Sequence, residues 1–174
     1  RPMRCVVFEE KEINLESFYT TWRGEDYELE EGRDFDEVIF GISMGGIPFV
    51  CDELIKANAD WKNMVDRILT VRTMAYQVWL KKDLKELGWE KQSPVMDAYV
   101  DPLNTWADMS QVIDKEDWPS KDFIKNISYF CGPMEGGIPP RSEIDTPEKS
   151  LKIVEEEAKK YLENDTKAWW PKVN

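Results

Sequence analysis

Apolar and polar positions along the chain recur at two periods, and together they predict a series of short elements. Cys5-Val6-Val7-Phe8 is an apolar run that reads as a strand. Ser17 to Trp22 and Tyr27 to Glu31 read as two strands joined through Arg23-Gly24-Glu25-Asp26. Val38-Ile39-Phe40 is apolar on both faces, the pattern of a strand covered on both sides. Gly41 to Gly46 then form a Gly-rich turn. After it, Ile47, Val50, Cys51, Leu54 and Ile55 recur at helical spacing, with Pro48 tolerated in the first turn. Asp60 is placed to cap a second helix whose inward stripe is Trp61, Met64, Val65, Ile68 and Leu69.

From Thr70 to Leu80 the period changes to two. Val71, Thr73, Ala75, Gln77 and Trp79 share one face, and Arg72, Met74, Tyr76, Val78 and Leu80 share the other. Both faces are rich in strand-formers, which predicts a long strand meeting protein or a cavity on each side. Gly88 ends a charged helical turn. Val95 to Val100 reads as a strand closed by Pro102, Trp106, Met109 and Ile113 as a short helix, and Phe123 to Cys131 as another strand. Gly132 to Pro147 holds three Gly and four Pro and reads as a loop. Thr146-Pro147 opens a terminal helix with a stripe of Leu151, Val154, Ala158, Tyr161 and Leu162.

Composition narrows the function classes. Apolar residues make up 41% of the 174, and eight are Trp, which is enough to build a core. No run approaches the roughly 18 apolar residues a spanning helix needs. A net charge of −12 argues against nucleic-acid binding, which depends on clustered Lys and Arg. Cys5, Cys51 and Cys131 lie apart in apolar stretches and read as buried thiols of a reducing, cytoplasmic compartment. Zinc lacks both a CxxC pair and any histidine. The chain opens on Arg1-Pro2 and reads as part of a longer polypeptide.

Gly41-Ile42-Ser43-Met44-Gly45 matches the G-x-S-x-G nucleophile elbow between a predicted strand and helix. A serine nucleophile of that class needs a histidine base, and the chain has none. A structural turn, with Ser43 as the helix cap and glycine for unusual backbone angles, is the better reading, and serine hydrolase chemistry is disfavoured. The carboxylate pairs Glu9-Glu10, Glu30-Glu31 and Glu116-Asp117 read as solvated surface, and the tryptophan stripes as core rather than as a cage around a cofactor.

Asp34-Phe35-Asp36-Glu37-Val38-Ile39-Phe40-Gly41-Ile42-Ser43 resembles a segment of the flavin-containing amine oxidoreductases, relatives of monoamine oxidase and the carotenoid desaturases. Thr70 to Leu80 is similar to the substrate-domain strand that passes the flavin. Trp106-Ala107-Asp108-Met109-Ser110 and Ile127-Ser128-Tyr129-Phe130-Cys131-Gly132 are similar to segments of an uncharacterised bacterial branch of these enzymes. The resemblance runs from about residue 15 to 135. It implies an α+β fold, a mixed sheet with flanking helices, as a fragment of a two-domain FAD-dependent oxidoreductase. Residues 1–57 would lie at the FAD-domain boundary, 58–132 in the substrate domain, and 133–174 in a loop and terminal helix.

The resemblance further implies a flavin-proximal turn at Gly41, Ile42 and Ser43 and a substrate cleft at Thr73, Ala75 and Gln77. It implies FAD in the parent protein, with the remaining FAD domain and a small-molecule substrate as partners. The GxGxxG fingerprint is absent, so no FAD is expected on this region alone and no catalytic residue is assigned. The lysine that several members carry on the flavin-side strand is replaced here by Met74 or Ala75, which leaves both amine oxidation and desaturation open. The alternative is an acidic binding module without a cofactor.

Overall fold

The computed structural model describes residues 13–118 and 123–173. The predicted strand at Cys5 to Phe8 lies outside them. The chain divides into two compact units between Thr70 and Val71.

In the N-terminal unit the predicted strands at 17–22 and 27–31 are not strands. The acidic stretch closes instead into a tight turn. Gly32 takes a positive φ of 79°, its N–H donates to the Phe35 carbonyl at 2.7 Å, and Arg33 holds Glu30 and Asp34 at 2.7 Å each. Val38-Ile39-Phe40 is not a buried strand either. Among the described residues it pairs with no strand, and Ile39 is 95% and Val38 74% exposed. Strand-forming side chains do not make a strand where no neighbouring backbone offers hydrogen bonds.

A 3₁₀ turn at Met44–Gly46 leads into α1 (Ile47–Val50), α2 (Asp52–Ala57) and α3 (Ala59–Arg67). Ile47 is buried. The cap of α3 is Asn58 rather than Asp60, its side chain accepting from the Asp60 and Trp61 N–H groups at 2.8 and 3.3 Å. An Asn one position before the first helical residue satisfies orphan donors that Asp60, already inside, does not reach. Trp61, Met64 and Val65 are half-buried, whereas Ile68 and Leu69 lie beyond the helix end and are exposed.

The C-terminal unit is built on one sheet: β1 (Arg72–Leu80), β2 (Val95–Met96), β3 (Thr105–Asp108) and β4 (Asn126–Met134), in the order β1-β4-β3-β2. Every pairing is antiparallel, so the sheet is not mixed. Two expectations change here. Trp106 belongs to strand β3 and not to a helix, because Trp106 and Asp108 alternate inward against β4. The 3₁₀ turn at Ser110–Lys115 follows it. The predicted strand at 95–100 shortens to two residues, and β4 starts later than predicted and runs through Gly132 and Pro133 to Met134.

Between β1 and β2, α4 (Leu84–Leu87) starts on an Asp83–Glu86 capping box and ends at Gly88, whose φ of 102° glycine adopts freely. The terminal helix α5 (Thr146–Asn164) lies against the even face of β1, where Arg72 Nη2 donates to Ser150 Oγ at 2.7 Å. Met74, Trp106, Phe130, Tyr161, Trp169 and Trp170 form the centre of the core. Trp106 meets Trp169 edge-on at 4.8 Å, and Phe130 stacks on Tyr76 at 5.0 Å. Such packing adds about 0.5–1.5 kcal/mol per pair beyond area burial. Of the predicted helix stripe, Tyr161 is buried and Val154, Ala158 and Leu162 are half-buried, while Leu151 is 60% exposed. Cys51 and Cys131 are free thiols and half-buried rather than buried.

Candidate functional site: the open face of the sheet

The two faces of β1 have separate fates. Met74 is buried, and Tyr76, Val78 and Leu80 are half-buried towards α5, while Thr73, Ala75, Gln77 and Trp79 are exposed. Paired residues of an antiparallel sheet share a face. The register Ala75↔Cys131↔Thr105 and Gln77↔Tyr129↔Ala107 therefore sets a floor of small and polar side chains around one tyrosine. Thr73, beside Pro133, extends it along β1. Thr105 Oγ1 donates to Asp97 Oδ1 at 2.9 Å at its rim. Partial burial pushes the Tyr129 phenol up, and the Cys131 thiol beside it adds to the shift. At pH 7 the phenol is a neutral hydrogen-bonding group.

At the Leu80 end this face closes over a cavity of about 370 Å³ lined by Gln77, Trp79, Val112, Glu116, Asp117, Trp118 and Ile127. The rings of Trp79 and Trp118 stand 5.0 Å apart and nearly perpendicular at 80°. Each indole N–H is engaged: Trp79 donates to Gln77 Oε1 at 3.2 Å and Trp118 to the Ile113 carbonyl at 3.0 Å. The ring orientations are thus held before any ligand arrives. Glu116 and Asp117 follow the 3₁₀ turn and are not on a strand, so both reach one cavity instead of pointing apart. Among the described residues neither carboxylate is in a salt bridge.

Of the residues read from sequence, Gln77 lines this cavity, and Thr73 and Ala75 lie on the same face outside it. Tyr129, Cys131, Trp118, Glu116 and Asp117 were not assigned to it. The alternation Ile127, Tyr129, Cys131 carries a signal for two of them, but the partner strand and register decide which face it joins.

The predicted turn at Gly41, Ile42 and Ser43 is exposed in the N-terminal unit. Ser43 sits before the 3₁₀ turn in extended conformation, and its side chain makes no cap bond, contrary to the predicted capping role. Gly45 and Gly46 of this turn serve close approach rather than positive φ, while Gly41 has open space beside it. A Cβ on Gly46 would lie 2.6 Å from Ile42 Cγ2, and one on Gly45 3.0 Å from Thr70 Oγ1. Among the described residues no cluster of His, Cys, Asp and Glu could hold a metal ion, and no helix is long and apolar enough to cross a membrane.

No family model, no curated protein and no solved structure matches this chain.

Proposed function

We propose that the chain is the substrate-binding region of a larger FAD-dependent oxidoreductase and that its substrate carries an amine. The observation that supports this reading is the cavity at the end of the open face. Two nearly perpendicular indoles line it, together with two carboxylates that are in no salt bridge among the described residues. An ammonium group gains from both, by cation–π attraction and by charge pairing. An apolar substrate of the desaturase kind would leave Glu116 and Asp117 without a partner.

The chain's own residues fit a substrate and not the dinucleotide. The sequence has no GxGxxG, and the turn at Gly41–Gly46 opens onto a helix of four residues, too short to present a pyrophosphate cradle. FAD would be held by the remaining domain of the parent and would accept hydride from the carbon bearing the amine. The work of this region is binding. Glu116 and Asp117 neutralise the ammonium, Trp79 and Trp118 orient it, and the floor of Ala75, Cys131, Ala107 and Tyr129 gives the rest of the substrate a surface to lie on.

Two measurements test the proposal. The full-length gene product should purify with bound flavin that primary or secondary amines reduce anaerobically; a colourless product defeats the reading. The present chain, mixed with FAD and desalted, should return colourless, and stoichiometric retention would overturn the division of labour.

A further inference from the structure

The sheet ends on one side at β1, and the outer edge of that strand is bare. The Met109 N–H donates to the Ile127 carbonyl at 2.8 Å, so Ile127, Tyr129 and Cys131 turn their backbone groups towards β3. Backbone groups alternate in direction along an antiparallel strand, so Ser128 and Phe130 turn theirs towards β1, where they meet Val78 and Tyr76. The N–H and C=O groups of Thr73, Ala75, Gln77 and Trp79 therefore point away from β4, and none of them has a hydrogen-bond partner among the described residues. Natural proteins guard such edges with proline, charge or a bulge. From Thr73 to Leu80 there is neither proline nor charge, and the register with β4 is unbroken.

The side chains along this edge are self-complementary. On the open face Val71, Thr73, Ala75, Gln77 and Trp79 run apolar, polar, small, polar, apolar, the same from either end. A two-fold axis at Ala75 sets two antiparallel copies of the strand side by side. Ala75 then stands opposite the partner's Ala75, Thr73 opposite the partner's Gln77, and Val71 opposite the partner's Trp79. Val71 is 72% and Trp79 57% exposed, so the largest apolar surfaces of the edge cover each other. The residues paired in this way are the ones whose backbone groups point outward, so the same register closes the hydrogen bonds. Charge agrees with it. Although the chain carries a net charge of −12, no carboxylate lies between Val71 and Lys82, and Arg72, the one charged residue of β1, comes opposite the partner's Val78. The palindrome favours a second copy over an unrelated strand, since a reversed copy repeats it.

We propose that two copies of this chain associate through β1, joining their four-stranded sheets into one continuous antiparallel sheet about a two-fold axis at Ala75. Each copy uses the same edge, so the contact closes at the dimer. It places the partner's Val71 at the rim of the cavity lined by Trp79 and Trp118, but the association itself does not rest on the oxidoreductase reading.

Sedimentation equilibrium of the chain under reducing conditions should show a reversible monomer–dimer equilibrium. Hydrogen exchange of the unaltered chain locates the contact: the amides of Thr73, Ala75, Gln77 and Trp79 should exchange about tenfold more slowly once about 90% of the chain is dimeric. Ala75→Lys and Ala75→Glu each set like charges opposite one another at the axis and should weaken the dimer about fivefold, whereas an equimolar mixture of the two should associate at least as tightly as the parent chain. Ala75 is exposed, so the far-ultraviolet dichroism of both variants should match that of the parent. If either variant loses its native dichroism, exchange in the unaltered chain decides alone. A chain that stays monomeric at millimolar concentration, slowed exchange confined to residues outside β1, growth beyond the dimer, or a mixture no tighter than the single variants would each overturn the proposal. Neither flavin nor amine enters these measurements, so failure here and failure of the amine reading are told apart.

Discussion

Gly132 in β4 stands against the backbone of Pro102 so closely that a Cβ at position 132 would lie 1.7 Å from the Pro102 carbonyl oxygen. Gly132 also pairs with Met74 across β1. The obstructing atom is backbone and cannot swing aside, so a methyl group must displace the 101–104 segment or the strand. Gly132→Ala is expected to destabilise the chain by about 3 kcal/mol, the upper end of overpacking costs. Urea unfolding checks this, and a midpoint equal to that of the parent chain would refute the close approach.

A second prediction concerns the buried polar ladder across β3 and β4. Asp108 accepts from Ser93 Oγ at 2.7 Å, from the Ser110 N–H at 3.0 Å and from Asn126 Nδ2 at 3.0 Å, besides the Ser110 hydroxyl. Ser128 donates to Asn126 Oδ1 at 2.8 Å and accepts from Trp106 Nε1 at 3.1 Å. Asp108→Ala strands donors in a site where Asn126 is wholly buried. A loss of about 1–3 kcal/mol is expected, the cost of an unsatisfied buried group, with less loss for Asp108→Asn, which keeps an acceptor. Equal losses in the two variants would show that volume, and not hydrogen bonding, is what Asp108 contributes.

The alkaline limb of stability should follow two tyrosines. Burial pushes Tyr161 up to about 12 and raises Tyr76 further. Both folded-state values exceed the unfolded value of about 10, so the folded state binds more protons between them. Their contribution is complete below pH about 10 and is lost as pH rises through about 12. Phenolate absorbance and circular dichroism should therefore change together over that window. Full phenolate formation with native dichroism intact would contradict the burial.

Binding of simple amines should depend on the indole pair. Titration with tetramethylammonium or butylammonium, followed by tryptophan fluorescence, should saturate in the parent chain. Trp118→Ala and Trp79→Ala should each weaken binding about 2- to 30-fold, the span of cation–π contributions. Glu116→Gln should weaken it as well and blunt its salt dependence. Because Trp79 is largely exposed and Trp118 only half-buried, the unfolding midpoints should stay close to the parent value. Undiminished affinity in both tryptophan variants would remove the amine assignment.

Ser43→Ala is expected to change stability by no more than about 0.5 kcal/mol, the usual range for exposed positions. The side chain is exposed and caps nothing, and no histidine stands in the sequence to activate it. Thermal unfolding checks the first statement. An esterase activity abolished by the substitution would sink the structural reading of the turn.

What the sequence determined by itself was local and periodic. The alternation from Thr70 to Leu80 named both the strand and its two faces, Gly88 marked the end of α4, and Thr146-Pro147 marked the start of α5. These are signals of side-chain period and capping, and they act within a few residues. The tertiary structure decided what needs a distant partner. Val38-Ile39-Phe40 has the side chains of a buried strand but no neighbouring backbone to pair with among the described residues, so it is exposed. Trp106 fits a helical spacing as well as a strand spacing over so short a window, and pairing with Phe130 settled it as strand. The cavity arises because Ile127 of β4 lies opposite Trp79 of β1 and the turn after Ser110 brings Glu116, Asp117 and Trp118 over that pair. Register and chain return join residues about forty positions apart, and no local period encodes them.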